Sequence, residues 1–461
     1  MPRIAPLSGF PEHLPAGYAV EQRIIEILRR TFELHGFIGI ETRAVEPLSQ
    51  LLSKGETSKE VYVLNRLQDE NTVRDNRTLG LHFDLTVPFA RYVLENAGHL
   101  QFPFKRYQIQ KVWRGERPQD GRFREFIQAD IDVVGRDVLP PHYEVEVPLV
   151  MAEAFTKLAA YGVPPVKILV NNRKLSQGFY AGLGLTDIEA VLRCIDKLDK
   201  IGRDAVSELL QKEAGATAAQ ARACLELAAI TGDDGNAQAL AQAKTLALEY
   251  GVSNDIFSEG LAELQALTTA AEKRAPGSVI LNLKIARGLD YYTGSVYETV
   301  LVGHEDLGSI CSGGRYDTLA SDGKVKYPGV GMSVGVSRLV ARLLRDELVT
   351  VSRVSPAVVL VAVASEESRD VSDDIAAELR KRGIPTEVAP TAAKFGKQIQ
   401  AAEKRGIPFV LFPADDEGGG IRIKDIRSGE QSDIDISTWA PPQSDQNAVL
   451  QRPMPNSEVP A

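Results

Sequence analysis

Two stretches of alternating side chains, residues 104–116 and 124–135, constrain the fold most, because a period of two over this length suits paired strands and does not suit a helix. The seven residues between them, Arg117-Pro118-Gln119-Asp120-Gly121-Arg122-Phe123, supply a long hairpin loop. In the second strand Ile127, Ala129, Ile131 and Val133 share one face, and Phe126, Gln128, Asp130 and Asp132 share the other. In the first, Arg106, Gln108, Gln110, Arg114 and Glu116 have common parity. The apolar face builds a core. The polar face is either a solvated surface or the floor of a binding site. Phe126 beside a mixture of fork donors and carboxylates favours a floor for a ligand with anionic and polar parts.

Around this hairpin the pattern is mixed. Residues 18–35 carry a helical apolar stripe ended by Gly36, and a short strand follows at Phe37–Ile40. Residues 81–95 read as a strand ending in Asp84-Leu85-Thr86, with Thr86 expected to cap a helix whose early Pro88 needs no backbone donor. From 176 to 275 the chain turns rich in Ala and Leu at helical spacing, which predicts a helical insertion. Strands resume at Val279–Ile285 and Val296–Val302, and Ser337–Leu348 has helical spacing. The unbroken apolar run Ala357–Ala364 then opens a βα pattern, which implies a small α/β domain over 356–440. Its parts are a helix at Ser368–Arg382, a strand at Thr386–Val388, a helix at Gly396–Arg405, a strand at Phe409–Phe412 and a closing hairpin turning at Ser428-Gly429. The proline-bearing polar stretch 441–461 is expected to be a disordered tail.

Composition excludes several classes. The 461 residues are 44% hydrophobic and 25% charged, enough for two or three domains with proper cores. No apolar run approaches the ~18 residues of a membrane span, and the start lacks a signal pattern, so a cytoplasmic location is expected. Cys194, Cys224 and Cys311 lie far apart without CxxC spacing, which suggests neither a disulfide framework nor a structural metal. A net charge of −9 argues against a general nucleic-acid coat but permits a local basic patch.

The segment Arg287-Gly288-Leu289-Asp290-Tyr291-Tyr292-Thr293-Gly294 gathers a guanidinium, a carboxylate and two phenols between glycines. It is either an exposed turn or a ligand-holding cluster: Arg is a fork for carboxylate or phosphate, and Tyr walls a pocket while offering a hydroxyl. With Gly313-Gly314-Arg315-Tyr316-Asp317 it resembles the two motifs particular to histidyl-tRNA synthetases. The hairpin is similar to the second signature motif of class II aminoacyl-tRNA synthetases, and Gly329–Leu339 to the third. With Asp84-Leu85-Thr86 and the closing α/β domain, the likeness runs in order over about residues 8–440.

The resemblance implies an α+β protein. A class II catalytic core with an antiparallel sheet flanked by helices would span 1–350, interrupted by the helical insertion at 176–275, and an anticodon-binding domain would follow. It implies that ATP and L-histidine form histidyl-adenylate, that the histidyl group passes to tRNA(His), and that the protein is a homodimer. Carried over position by position, Asp84, Leu85 and Thr86 would form the ammonium end of the histidine site, with Gln128 adding an amide. Asp132, Tyr291, Tyr292 and Tyr316 would surround the imidazole. Arg114 and Arg287 would be the catalytic cations, bridging the substrate carboxylate and the α-phosphate. Glu116 would read the adenine amino group, Phe126 and Arg338 would cover the base, and Arg122 would reach the terminal phosphates. Mg²⁺ would arrive on the ATP phosphates, with no metal held by a protein cage.

Two departures stand out. Arg43 occupies the usual place of the proline in the first class motif, and Asp84-Leu85 replaces a common Glu-Gly. The alternative reading is a synthetase-like regulatory subunit of ATP phosphoribosyltransferase, which binds histidine without charging tRNA and lacks the anticodon domain. Lys394, Lys397, Lys404 and Arg405 around Phe395 form a basic stripe, either a solvated face or a contact for phosphates. His82 shares strand parity with Asp84, but none of the six histidines is assigned a role.

Overall fold

The computed structural model describes residues 5–52, 60–67, 78–286, 292–321, 323–414 and 420–453. Arg287 and Tyr291 therefore lie outside the described residues. The chain divides into two units, residues 1–12 with 24–346 and residues 13–23 with 347–461.

The first unit is built on an eight-stranded sheet. From edge to edge its strands are Ile38–Gly39, Phe104–Trp113, Glu125–Val134, Gly329–Gly335, Cys311–Tyr316, Tyr292–Leu301, Val166–Asn172 and Val279–Leu281. The five central pairings are antiparallel and the two at the edges are parallel. Alternation sets which side chains meet. Across the hairpin Arg106 stands opposite Asp132, Gln108 opposite Asp130 and Gln110 opposite Gln128. The next strand places Gly331 opposite Asp132 and Ser333 opposite Asp130. The odd-numbered Ala129, Ile131 and Val133 are fully buried in the core, as alternation requires.

Helix Thr86–Asn96 begins one residue before the start that a Thr86 cap would set, the strand expected to end at Asp84-Leu85-Thr86 is only Leu79–Leu81, and Thr86 is not the cap. Asp84 accepts from the Val87 amide at 3.0 Å, so the carboxylate three residues upstream satisfies that free donor. Between strands Val166–Asn172 and Val279–Leu281 the described chain is helical, from Arg173–Gly182 to Asp255–Arg274. Local caps mark its helix starts: Asp187 accepts from Ala190, Asn254 from Phe257, and Thr217 with Gln220 forms a capping box. Strand Val279–Leu281 is shorter than its apolar run, because the chain turns at Asn282, whose side chain accepts from the Lys284 amide.

In the second unit, a five-stranded sheet has Val359–Val361 near its middle, parallel to Thr386–Val388 and Phe409–Phe412. Val359 and Val361 pack with Ile375 and Leu379 of helix Arg369–Lys381, while Leu360 and Ala362 pack with Ala402 of helix Phe395–Lys404. Burial on both faces explains why this strand reads as a continuous apolar run. Residues 441–453 are not a disordered tail: Leu450–Gln451 pairs antiparallel with Thr350–Val351, and Leu450 is buried. Arg405 leaves the expected basic stripe, its guanidinium pairing with Glu387 and donating to the Ala401 carbonyl. Lys394, Phe395, Lys397 and Lys404 remain exposed.

Candidate active site

Two adjoining cavities lie on the polar face of the eight-stranded sheet. The outer one, about 280 Å³, is lined by Arg114, Glu116, Arg122, Phe126, Gln128 and Arg338 together with Ser309, Ser312 and Ser333. The inner one is lined by Thr86, Asp130, Asp132, Tyr292 and Tyr316, and it shares Ser312 and Ser333 with the first. Three cations and an aromatic ring, with Glu116, thus gather on one side, and two carboxylates and two phenols on the other.

In the outer cavity Arg114 is held from three sides. Its Nε donates to the Phe83 carbonyl at 3.0 Å, its guanidinium carbon lies 5.1 Å from the centre of the Phe126 ring, and Glu116 is 3.9 Å away. Arg122, on the loop, reaches Glu116 at 3.7 Å. Arg338 comes from helix Val336–Arg345 and donates to the Gly121 carbonyl at 2.9 Å and the Ser309 carbonyl at 2.6 Å, which locks its plane. These donors are fixed before any anion arrives, which is the condition for strong electrostatic stabilisation.

The inner cavity is a network. Arg106, fully buried and 4.2 Å above the Phe89 ring, places Nη2 at 2.6 Å from Asp132 Oδ2. The Tyr316 hydroxyl donates to Asp132 Oδ1 at 2.8 Å. Gln128 Nε2 donates to Ser333 Oγ at 2.8 Å. Two glycines keep the floor low: a Cβ on Gly331 would stand 2.1 Å from Asp132 Oδ1, and one on Gly314 would stand 2.8 Å from the Tyr292 ring. Any side chain at either position would displace a group that shapes the pocket.

Of the expected site residues, Arg114, Glu116, Arg122, Phe126, Gln128 and Arg338 line the outer cavity, and Thr86, Asp132, Tyr292 and Tyr316 the inner one. Asp84 is buried and capping, while the Leu85 side chain is fully buried and lines neither. His82 belongs to the core. It stacks on Trp113, its Nε2 sits 2.7 Å from the Lys111 carbonyl, and burial holds its pKa below the usual value.

Four further residues join the site. Arg106 and Asp130 were placed on the polar face by alternation, but the resemblance attached no role to them. Ser333 was hidden in a glycine-rich run. Glu60 gave no signal at all: burial raises its carboxyl pKa against the nearby Arg114, with Glu116 and Asp84 adding to the rise. Among the described residues no group of three or more His, Cys, Asp or Glu side chains is arranged to hold a metal ion, and no helix is long and apolar enough to cross a membrane.

Comparison with known proteins gives a consistent result. A family profile described as histidyl-tRNA synthetase matches residues 9–339, and one described as an anticodon binding domain matches residues 357–440. The chain is 59% identical to a histidine–tRNA ligase of Bifidobacterium longum subsp. infantis, over 96% of this chain and 98% of that one. It is 55% identical to a histidine–tRNA ligase of Micrococcus luteus, again over 96% and 98%. A crystal structure of histidyl-tRNA synthetase from Nostoc sp. superposes with a TM-score of 0.82 at 36% identity, covering 94% of this chain and 97% of the other.

Proposed function

We propose residue roles for this site on one premise: the chain belongs to the histidyl-tRNA synthetase family. It is a histidine–tRNA ligase. ATP and L-histidine form histidyl-adenylate with release of pyrophosphate, and the histidyl group then passes to the 3′ end of tRNA(His) with release of AMP. The observation that carries the role assignment is the sorting of the two joined cavities, cationic outside and acidic and phenolic inside.

In this reading ATP occupies the outer cavity. Phe126 stacks on the adenine, Arg338 covers its other face, and Glu116 accepts from the exocyclic amine. Arg122 meets the terminal phosphates, which bring Mg²⁺ with them as part of the substrate. Histidine occupies the inner cavity. Asp84 and Thr86 take its ammonium, with the Leu85 backbone between them. Gln128, Asp132, Tyr292 and Tyr316, with Tyr291, hold the rest. A neutral imidazole both donates and accepts, so carboxylate and phenol partners are left unpaired by any side chain that cannot do both. Arg114 stands where carboxylate and α-phosphate must meet, and Arg287 is assigned to the same phosphate. Two oriented cations at that point set the line of attack and stabilise the charge that develops.

Residues 357–440 are assigned to the anticodon, with exposed Lys394, Lys397 and Lys404 as phosphate contacts and Phe395 beside them for stacking. A homodimer in the cytoplasm is the expected state. In the segment that resembles the first class motif, Arg43 pairs with the buried Glu46 at 3.0 Å, and Arg91 holds the same carboxylate at 2.7 Å. The regulatory-subunit alternative has less support, since a protein described as an ATP phosphoribosyltransferase regulatory subunit/histidyl-tRNA synthetase shares only 19% identity and so speaks to fold alone.

Histidine-dependent exchange of labelled pyrophosphate into ATP, measured across twenty amino acids without tRNA, tests the reading. Exchange with histidine alone is expected. Histidine binding without exchange would instead favour the regulatory alternative.

The loop bearing Arg122 is tied down by Asp120, which pairs with Arg345 and, at 3.3 Å, with Arg342. Asp120→Asn should raise the KM for ATP about two- to fivefold at low salt, and the difference should shrink as salt screens the exposed Asp120–Arg345 pair. An unchanged KM at low salt would show that the tether does not order the loop.

A further inference from the structure

Two carboxyl groups face the inner cavity from one strand, and Arg106 serves them unequally. Its Nη2 is 2.6 Å from Asp132 Oδ2 but 4.0 Å from Asp130 Oδ2. Asp132 also accepts from Tyr316, whereas Asp130 Oδ1 has no hydrogen-bond partner among the described residues, although Asp130 is only 2% exposed. A carboxylate held only by a hydroxyl and a cation 4.0 Å away is costly in such a place, and a carboxylic acid is far less so. Burial accordingly pushes Asp130 up to about 7, with Arg106 opposing and the charge of Asp132 adding.

Among the described residues the groups around it include no second cation. Arg106 and Gln108 face it from the first hairpin strand, Asp132 from its own, Ser333 from the next and Cys311 from the one beyond; Asp84 comes from the turn before helix Thr86–Asn96. Ser333 hydrogen-bonds to Asp130, and Cys311 is a thiol that burial keeps neutral. Arg287 lies outside the described residues.

We propose that Asp130 is a further histidine-binding residue, which stands in part as a carboxylic acid at neutral pH before the substrate arrives and releases its proton to solvent as the substrate ammonium enters. The O–H bond of one carboxyl breaks, its proton passes to buffer, and the carboxylate so formed faces the incoming positive charge. Asp132, already paired with Arg106 and Tyr316, keeps its charge throughout and faces the imidazole. The inference rests on the reading of the inner cavity as the histidine site.

Calorimetry of histidine binding to the full chain, in two buffers of different ionisation enthalpy, counts the protons. At pH 7 the parent should release about half a proton more than Asp130→Asn, as expected for a group half protonated there. The sign follows from the raised pKa: affinity should rise with pH through 7, by about tenfold from pH 6 to pH 8 beyond what Asp130→Asn shows. The substrate's own imidazole titrates equally in both proteins and cancels. Infrared spectra of the unmodified protein give an independent readout, a protonated-carboxyl band that disappears when histidine is added. Equal proton release by the two proteins, or a band that histidine leaves unchanged, would overturn the inference while histidine-dependent exchange still supported the site. Loss of that exchange in the parent would overturn both.

Discussion

Arg114→Ala should slow histidine-dependent pyrophosphate exchange by on the order of 10²–10³, the usual cost of removing one preorganised donor from a developing charge. The side chain is held in place by the Phe83 carbonyl and the Phe126 ring, so substrate does not have to order it. Its contribution should therefore fall on the rate of adenylate formation more than on histidine affinity. Arg114→Lys should recover little. An ammonium is a point charge that cannot hold the Phe83 carbonyl, stack on Phe126 and present two parallel donors together. Single-turnover adenylate formation measured beside equilibrium histidine binding separates the two effects. A variant that loses affinity and rate in equal measure would place Arg114 in ground-state binding.

A second large effect is expected at Arg106, a residue that need touch no substrate. Arg106→Ala removes a guanidinium that is completely buried and leaves Asp132, itself only 3% exposed, without its cation. Breaking a buried pair on one side costs about 3–5 kcal/mol, because the remaining charge keeps only the neutral Tyr316 donor and little solvent. Denaturant unfolding should register this loss at neutral pH. The pH dependence has a definite sign. With Arg106 gone, the folded state favours protonated carboxyls at 130 and 132, so their folded pKa values stand above the unfolded ones. The deficit should then be largest at high pH and shrink as the pH falls below those values. A pH-independent deficit would point to lost packing over Phe89 as the cause.

Much of this site was legible before folding because it rests on local regularities. Alternation through residues 104–135 placed Gln128, Asp130 and Asp132 on one face, and the same parity aligned Arg106 with the site. Strand Thr386–Val388 and strand Phe409–Phe412 occur at their predicted bounds, since each is a short segment bracketed by prolines, Pro385 and Pro390 for the first and Pro408 and Pro413 for the second. What escaped local reading depended on distant partners. Thr86 looked like the cap, yet Asp84 took the Val87 amide, because its side chain was turned to that donor. Strand Leu450–Gln451 is two residues long in a proline-bearing stretch, so it carries no period, and only its pairing with Thr350–Val351 defines it. Arg405 follows the helical stripe by spacing but is drawn to Glu387, 18 residues earlier in the chain.

The sequence by itself determined the hairpin, the polar face it offers and the family to which the chain belongs, because periodicity and motif order are properties of neighbours along the chain. Only the tertiary structure decided how charge is divided on that face. Asp130 and Asp132 are equivalent in parity and chemistry, and nothing in their spacing tells one from the other. Folding sets one guanidinium nitrogen at 2.6 Å from Asp132 and 4.0 Å from Asp130. At groups buried this deeply that difference favours the carboxylate at 132 and the acid at 130, because Coulomb attraction there is weakly screened and a poorly paired charge gains little solvation.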